Sequence, residues 1–271
     1  MIDISSIDLS RFDKPELLGF LFYPRRDSSV APGPKNLTEI SIPTERGIVI
    51  GARFYRAHSS SPVILYFHGN GEIASDYDDL GDVYTRAGLS FLCADYRGYG
   101  KSSGIPTVTG MMRDCHYIFD YMKNYLKEEG INAPLIVMGR SLGSASACEL
   151  AAHYPDEIDG LIIESGFARA LPLLETLGVD VESLGIRDEA GFDNIDKIRK
   201  YTGPALIIHA EHDHIIPFLD GKALFESCGS KDKQFLEIKR ANHNTIFQHG
   251  FGEYMSAMAE LAAKTMEKRK K

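Results

Sequence analysis

From Val63 onward, short apolar runs alternate with longer stretches whose apolar residues recur at helical spacing. The runs are 63–67, 89–94, 135–138, 161–163, 205–209 and 235–238. They are rich in Val, Ile, Leu and Phe and read as strands, with Val63-Ile64-Leu65-Tyr66-Phe67 buried on both faces. Between them the spacing predicts helices over roughly 75–87, 109–127, the stretch after Ser141 to about Tyr154, 217–228 and 245–267. The second carries Met112, Cys115, Ile118, Phe119, Met122 and Leu126 on one face, and Gly130 closes it. Upstream, 36–42 and 47–56 alternate apolar and polar residues around Pro43-Thr44-Glu45-Arg46, which predicts a half-exposed antiparallel hairpin.

Strands that alternate with helices make a mostly parallel sheet with helices on both faces, and such sheets bind ligands at the carboxyl ends of their strands. The expected architecture is therefore α/β, with one domain over 1–271. Residues 1–34, mixing aromatics, prolines and charges, form an N-terminal arm that packs on it. Residues 168–202 break the alternation with Leu-rich pieces, Gly178, Gly185, Gly191 and several carboxylates. They read as a cap-like insertion over the sheet's carboxyl edge. No internal repeat, low-complexity tract or linker interrupts the chain.

Every motif falls at a strand end. Leu135–Met138 breaks at Gly139 and turns through Arg140-Ser141-Leu142, and a small-residue helix follows Gly143. A serine on such a strand–turn–helix corner presents its hydroxyl above the sheet edge, and glycines flank it where a side chain would collide with the crossing helix. The plain alternative for Ser141 is a helix N-cap. A serine hydroxyl becomes a nucleophile when an imidazole takes its proton, and a carboxylate fixes the tautomer of that imidazole. Asp213 follows one strand and His243 follows the last, so the order Ser141, Asp213, His243 suits this architecture. Glu164 and Asp180 are alternative acids and His249 an alternative base. His209, His212 and His214 invite a metal reading, but Asp213 between adjacent turn histidines sends the side chains apart, and no metal is expected.

Acyl transfer also needs backbone N–H groups aimed at a developing oxyanion. Leu142, after the nucleophile, supplies one; His68-Gly69-Asn70-Gly71 supplies the other, from Asn70 first and Gly71 second. Gly71, Glu72, Arg140, Phe167 and Ile215 are the candidate pocket residues. Arg140 either meets an anionic substrate or pairs with a carboxylate such as Glu164. The loop Asp95-Tyr96-Arg97-Gly98-Tyr99-Gly100-Lys101-Ser102 is read as a brace for the nucleophile turn in preference to a pocket wall.

Composition narrows the partners. The net charge is −8, and the only basic block is Lys268–Lys271, a solvated helix end, so a nucleic-acid surface is not expected. Cys93, Cys115, Cys148 and Cys228 lie far apart, without a C-x-x-C pair, and read as reduced thiols. The first residues lack a positive leader and an apolar signal core, and no apolar run is long enough for a bilayer, so a cytoplasmic protein without a membrane anchor is expected.

Taken together, His68-Gly69-Asn70-Gly71, the 95–102 loop, Gly139-Arg140-Ser141-Leu142-Gly143, Asp213-His214-Ile215-Ile216-Pro217 and Asn242-His243-Asn244 resemble the α/β-hydrolase superfamily. The closest branch is the small-capped serine hydrolases that include Bem46-like and depalmitoylating enzymes. The resemblance covers about residue 35 to the end and implies a mostly parallel eight-stranded-type sheet with a small cap. It also implies Ser141 as nucleophile, His243 as base, Asp213 as orienter, an acyl-enzyme and no cofactor. Two departures stand out: Ala241 occupies the place of a usual glycine two residues before the base, and the membrane helix or cysteine cluster of some relatives is missing near the N-terminus. The expected activity is hydrolysis of a small-molecule carboxylic ester or thioester. A peptidase or amidase on the same triad and a non-catalytic binding module are the alternatives.

Overall fold

The structure is a computed structural model that describes residues 2–28, 34–45, 47–188 and 190–269. Arg46 of the predicted hairpin turn, 29–33 of the arm and the last two lysines of the basic run lie outside the described residues. The chain forms two compact units, Met1–Leu135 and Ile136–Lys271.

The first unit holds α1 (Pro15–Leu21), β1 (Leu37–Pro43), β2 (Val49–Tyr55), β3 (Val63–Phe67), α2 (Asp78–Arg86), β4 (Ser90–Ala94) and α3 (Val108–Glu128). Its strands lie in the order β1-β2-β4-β3. β3 pairs parallel with β4, Val63 opposite Ser90 and Phe67 opposite Ala94, whereas β2 runs antiparallel to both of its neighbours. The predicted hairpin is present, and β1 is half-exposed as expected. β2 is not: Ile50 to Tyr55 are all buried. Helices cover both of its faces: the Tyr55 ring lies against Gly81 of α2, and Phe54, on the opposite face, packs edge-on against Tyr125 of α3 at 5.9 Å. The one charge it carries inward, Arg53, is neutralised by Asp78 at 2.9 Å and Glu39 at 3.1 Å.

α3 matches the predicted periodic face, with Met112, Cys115, Ile118, Phe119, Met122 and Leu126 buried. Its first turn is capped twice. Thr107 Oγ1 accepts the Gly110 N–H, and Asp13 of the arm accepts the N–H groups of Val108 (2.7 Å) and Thr109 (3.2 Å). Gly130 ends the helix at φ 66°. The arm contributes a helix the periodicity did not announce, α1, which starts at Pro15 and buries Leu17 and Leu21.

The second unit holds β5 (Leu135–Arg140), α4 (Gly143–His153), β6 (Gly160–Glu164), α5 (Ala170–Thr176), α6 (Asn194–Ile198), β7 (Ala205–Ala210), α7 (Phe218–Ser227), β8 (Lys233–Ile238) and α8 (Ile246–Lys268). Its strands run β5-β6-β7-β8, parallel throughout. α4 packs on β6, α7 on β7 and β8, and α8 on β6, β7 and β8. The insertion is more ordered than its sequence suggested. It contains α5 and α6 and buries Leu174, Val179, Val181, Ile186 and Phe192 in a small apolar centre. All four cysteines are buried free thiols. Among the described residues no helix is long and apolar enough to cross a membrane.

α8 is interrupted at Gly250, whose φ −132° and ψ 24° are not helical. A Cβ there would come within 2.6 Å of Ile238 Cδ1, whereas one on Gly252 would meet nothing within 4 Å. Gly250→Ala should therefore destabilise the fold by about 1–3 kcal/mol through overpacking. Gly252→Ala should stabilise it by about 0.5–1 kcal/mol by removing backbone freedom from a helix. Urea midpoints at unchanged slope measure both, and a Gly250→Ala protein as stable as wild type contradicts the steric origin of the kink.

Candidate active site

The corner after β5 is built by exclusion of side chains. A Cβ on Gly139 would overlap the Gly143 carbonyl and lie 2.8 Å from Ala147 Cβ, so strand and helix cross at a distance only glycine permits. Residues 143–151 of α4 are all buried, and the first six of them, Gly143 to Cys148, are all small. Ser141 takes up the turn at φ 52°, a left-handed conformation that costs a non-glycine residue about 1–3 kcal/mol. Hydrogen bonds over-determine it. Its N–H donates to the Glu164 carbonyl at 2.9 Å, and its carbonyl accepts from Ser144 N (3.0 Å) and Ser144 Oγ (2.6 Å).

Asp213 and His243 come together on the loops after β7 and β8. Asp213 Oδ1 accepts the N–H groups of Ile215 and Ile216, and Oδ2 lies 2.8 Å from His243 Nδ1. A carboxylate only accepts, so Nδ1 carries a proton, and in the neutral ring Nε2 is the nitrogen with the lone pair. Burial works against the Asp213 charge, but the His243 hydrogen bond, its coulombic attraction and the two backbone N–H groups outweigh it and hold the carboxyl below its usual value. His209 lies 3.6 Å away, with Nε2 on the Ile216 carbonyl, and burial keeps its pKa below the ordinary value.

Arg140, immediately before the serine, ties these loops to the corner. Its Nη2 donates to the His243 carbonyl (2.9 Å) and Asn244 Oδ1 (3.2 Å), and its Nε donates to Glu164 Oε1 (3.2 Å). Tyr254 donates to the other Glu164 oxygen at 2.7 Å. Of the two roles considered for Arg140 the carboxylate pair is the one observed. Glu164 is thereby engaged, and it is not the partner of His243. Asp180 makes a local turn with Ser183, and His249 lies in the first turns of α8. His212 and His214 are exposed, so the three histidines of this stretch do not converge. At the place of the usual glycine, Ala241 is fully buried, and the left-handed residue is its neighbour Arg240 at φ 60°.

Leu142 opens α4 in helical conformation and is nearly buried. Ile215 is half-buried, its N–H on Asp213. Phe167 is 1 % exposed and packs edge-on against Phe192 at 5.6 Å, in the core of the insertion.

In the first unit the His68–Glu72 turn is held from several sides. Glu72 accepts from Gly69 N (2.6 Å) and Tyr77 Oη (2.5 Å), so its carboxylate caps the turn. Asn70 Oδ1 accepts from Tyr99 Oη (2.7 Å) and the Tyr23 N–H (2.9 Å). Gly71, at φ 75°, has its carbonyl on Arg25 Nε at 2.9 Å. Tyr96 Oη donates to the His68 carbonyl at 2.6 Å, and Arg97 is bound by Asp114 and Glu45. The 95–102 loop is thus a brace, and what it braces in this unit is the His68–Asn70 turn. The contributions of Arg25 and Tyr23 had no signal in the sequence, since neither stands in a motif.

The sign of the Asp213 shift makes a pH prediction. Its folded pKa is depressed, so the stability it contributes is complete above its ordinary value of about 3.9 and is lost as pH falls through the lower folded value. The Tm gap between wild type and Asp213→Asn should be steady from about pH 5 to 7 and close below about pH 4. A gap that persists unchanged to pH 2 contradicts it.

Comparison with known proteins follows the same lines. A family model described as serine aminopeptidase, S33, matches residues 58–177. α/β hydrolase domain-containing protein 17B of Xenopus laevis is 33% identical over 232 residues, covering 82% of this chain and 74% of the relative. The human 17B protein is 31% identical over 233 residues, with the same coverage. Protein bem46 of Schizosaccharomyces pombe is 31% identical over 192 residues, 68% of this chain and 62% of the relative. Among solved structures, the Pyrococcus furiosus esterase Pf2001 superposes with a TM-score of 0.71 at 18% identity, over 88% of this chain and 97% of that one. Est1E from Butyrivibrio proteoclasticus, with ferulic acid bound, gives 0.69 at 20% identity, over 84% and 99%. These likenesses bear on the fold, and the closer sequence relatives bear on the family. With its mostly parallel eight strands, flanking helices and these relatives, the chain belongs to the Bem46-like family of α/β hydrolases.

Proposed function

We propose that this protein is a serine hydrolase that cleaves a carboxylic ester or thioester of a small to medium acyl group through an acyl-enzyme. The observation that carries the reading is the 2.8 Å bond between His243 Nδ1 and Asp213, in the same unit as a serine held left-handed at the end of β5. Asp213 keeps the proton on Nδ1, so Nε2 is the atom that takes the Ser141 proton. Ser141 Oγ adds to the substrate carbonyl carbon, and the carbonyl electron pair moves onto oxygen. Leu142 N–H, at the start of α4, is assigned to that oxyanion. Each such donor is typically worth about a hundred- to a thousandfold in rate. Collapse of the tetrahedral species expels an alkoxide or thiolate that takes its proton from His243. Water, deprotonated by the same imidazole, then adds to the acyl-enzyme and releases the acid and Ser141.

The description of the matching family model, serine aminopeptidase, favours an amide as the second reading. It uses the same triad and differs in that the leaving amine must be protonated before it departs. A paired amide and ester of one acid separates the two.

A fluorophosphonate probe should label wild type and fail to label Ser141→Ala, and turnover of a short acyl ester and thioester panel should fall by roughly a thousandfold or more in that variant. Asp213→Asn, which disturbs the tautomer and leaves the shape intact, should lower kcat on the order of ten-thousandfold. Folded wild type that neither labels nor turns over any panel member sinks the catalytic reading and leaves a binding role.

A further inference from the structure

The carbonyl of Ser141 and the N–H of Leu142 belong to one peptide group, and a peptide group is planar. Whatever fixes the direction of that carbonyl also fixes the direction of the N–H on the opposite side. Ser144 Oγ supplies the shorter of the two hydrogen bonds to the Ser141 carbonyl, 2.6 Å. A hydroxyl has one proton, and it is free to rotate unless a donor occupies the oxygen. That donor is Asn194 Nδ2, 3.2 Å from Ser144 Oγ. The orientation of the Asn194 amide is itself decided by chemistry. The same nitrogen lies 2.9 Å from the Phe167 carbonyl, which can only accept, so the NH2 group faces both partners and its two hydrogens are both in use. With Asn194 donating, the single Ser144 proton is left for Ser141.

Asn194 is completely buried and opens α6, the second helix of the insertion. The helix cannot drift. Asp193 caps it through Ile195 N at 2.8 Å, and Lys197 makes a buried ion pair with Glu149 of α4 at 2.8 Å. Space around the relay is tight as well, since a Cβ on Gly166 would come within 2.8 Å of Ser144 Cβ.

We infer that Asn194 is a positioning residue, which through Ser144 and the Ser141 carbonyl aims the Leu142 N–H at the oxyanion. The inference rests on the acyl-transfer reading of Ser141 and goes beyond it, because it gives the insertion a part in catalysis that does not require it to touch substrate. An oxyanion donor acts on charge that develops in the transition state, so a donor turned off its line lowers kcat and leaves KM in place.

The test compares Asn194→Ala, Ser144→Ala, the double variant and Leu126→Ala with wild type, on an ester the wild type hydrolyses, at a temperature where circular dichroism shows each folded. Asn194→Ala should lower kcat about tenfold, less than the loss of a whole donor, with KM within about twofold. Ser144→Ala should do the same, and the double variant should fall no further than the lower single, because both act through one relay. Leu126→Ala, which opens the core of α3 away from the relay, should lower Tm and keep kcat within about twofold of wild type. Unchanged kcat in Asn194→Ala, a raised KM, multiplied effects in the double variant or an equal kcat loss in Leu126→Ala each overturn the assignment. Should Asn194→Ala not fold, Ser144→Ala decides alone, and an unchanged kcat there overturns it. Wild type that a fluorophosphonate does not label brings down both this inference and the reading beneath it, whereas labelled wild type with an unaffected Asn194→Ala brings down only this one.

Discussion

A serine held at φ 52° is conformationally expensive, and the second unit is arranged around keeping it there. The corner exists because β5 and α4 cross where Gly139 and Gly143 bring backbone against backbone. Without other contacts the turn would relax. Its amide is bound by the Glu164 carbonyl on the neighbouring strand, and its carbonyl by two groups of Ser144. The left-handed serine therefore follows from packing on both sides.

The charges near the corner are coupled to it. Arg140 lies between the Glu164 carboxylate and the His243 carbonyl, with its side chain only 11% exposed. Placing a guanidinium there is favourable because carboxylate, carbonyl and amide oxygens meet its fork of donors, and a lone buried charge at the same place would be costly. One side chain next to Ser141 thus ties down the loop that carries His243. Asp213 solves a related problem by local means: its two backbone donors come from its own turn, so the carboxylate is oriented before it meets His243.

The first unit applies the same economy to its glycine turn. Backbone carbonyls and an asparagine side chain between His68 and Gly71 are taken up by Tyr96, Tyr99 and the arm. The arm buries Leu9, Phe12, Leu17, Leu21 and Phe22, but at the glycine turn it acts through the Tyr23 N–H and the Arg25 guanidinium, and such contacts leave no hydrophobic pattern to read. Arg53 shows the converse. It makes β2 look half-polar along the chain, yet the strand is buried because carboxylates of β1 and α2 meet the charge.

Much was legible from the chain alone. Periodicity and branched residues placed the strands and the main helices to within a residue or two, since those elements bury whole faces and must be apolar where they do. Gly139 and Gly143, Asp213 before a helix and His243 after the last strand were also readable, because each sits at a strand end where the fold concentrates chemistry. Short or polar features were not. α1 has seven residues, too few to develop a period, and the half-exposed reading of β2 failed at Arg53. Ser144 and Asn194 carry no motif, Arg140 had two readings, and which group each would meet depends on segments up to about a hundred residues apart in sequence. Burial pattern is a property of the residue itself and survives in the sequence. Hydrogen-bond partnership is a property of two residues and a distance, and only the tertiary structure supplies the distance.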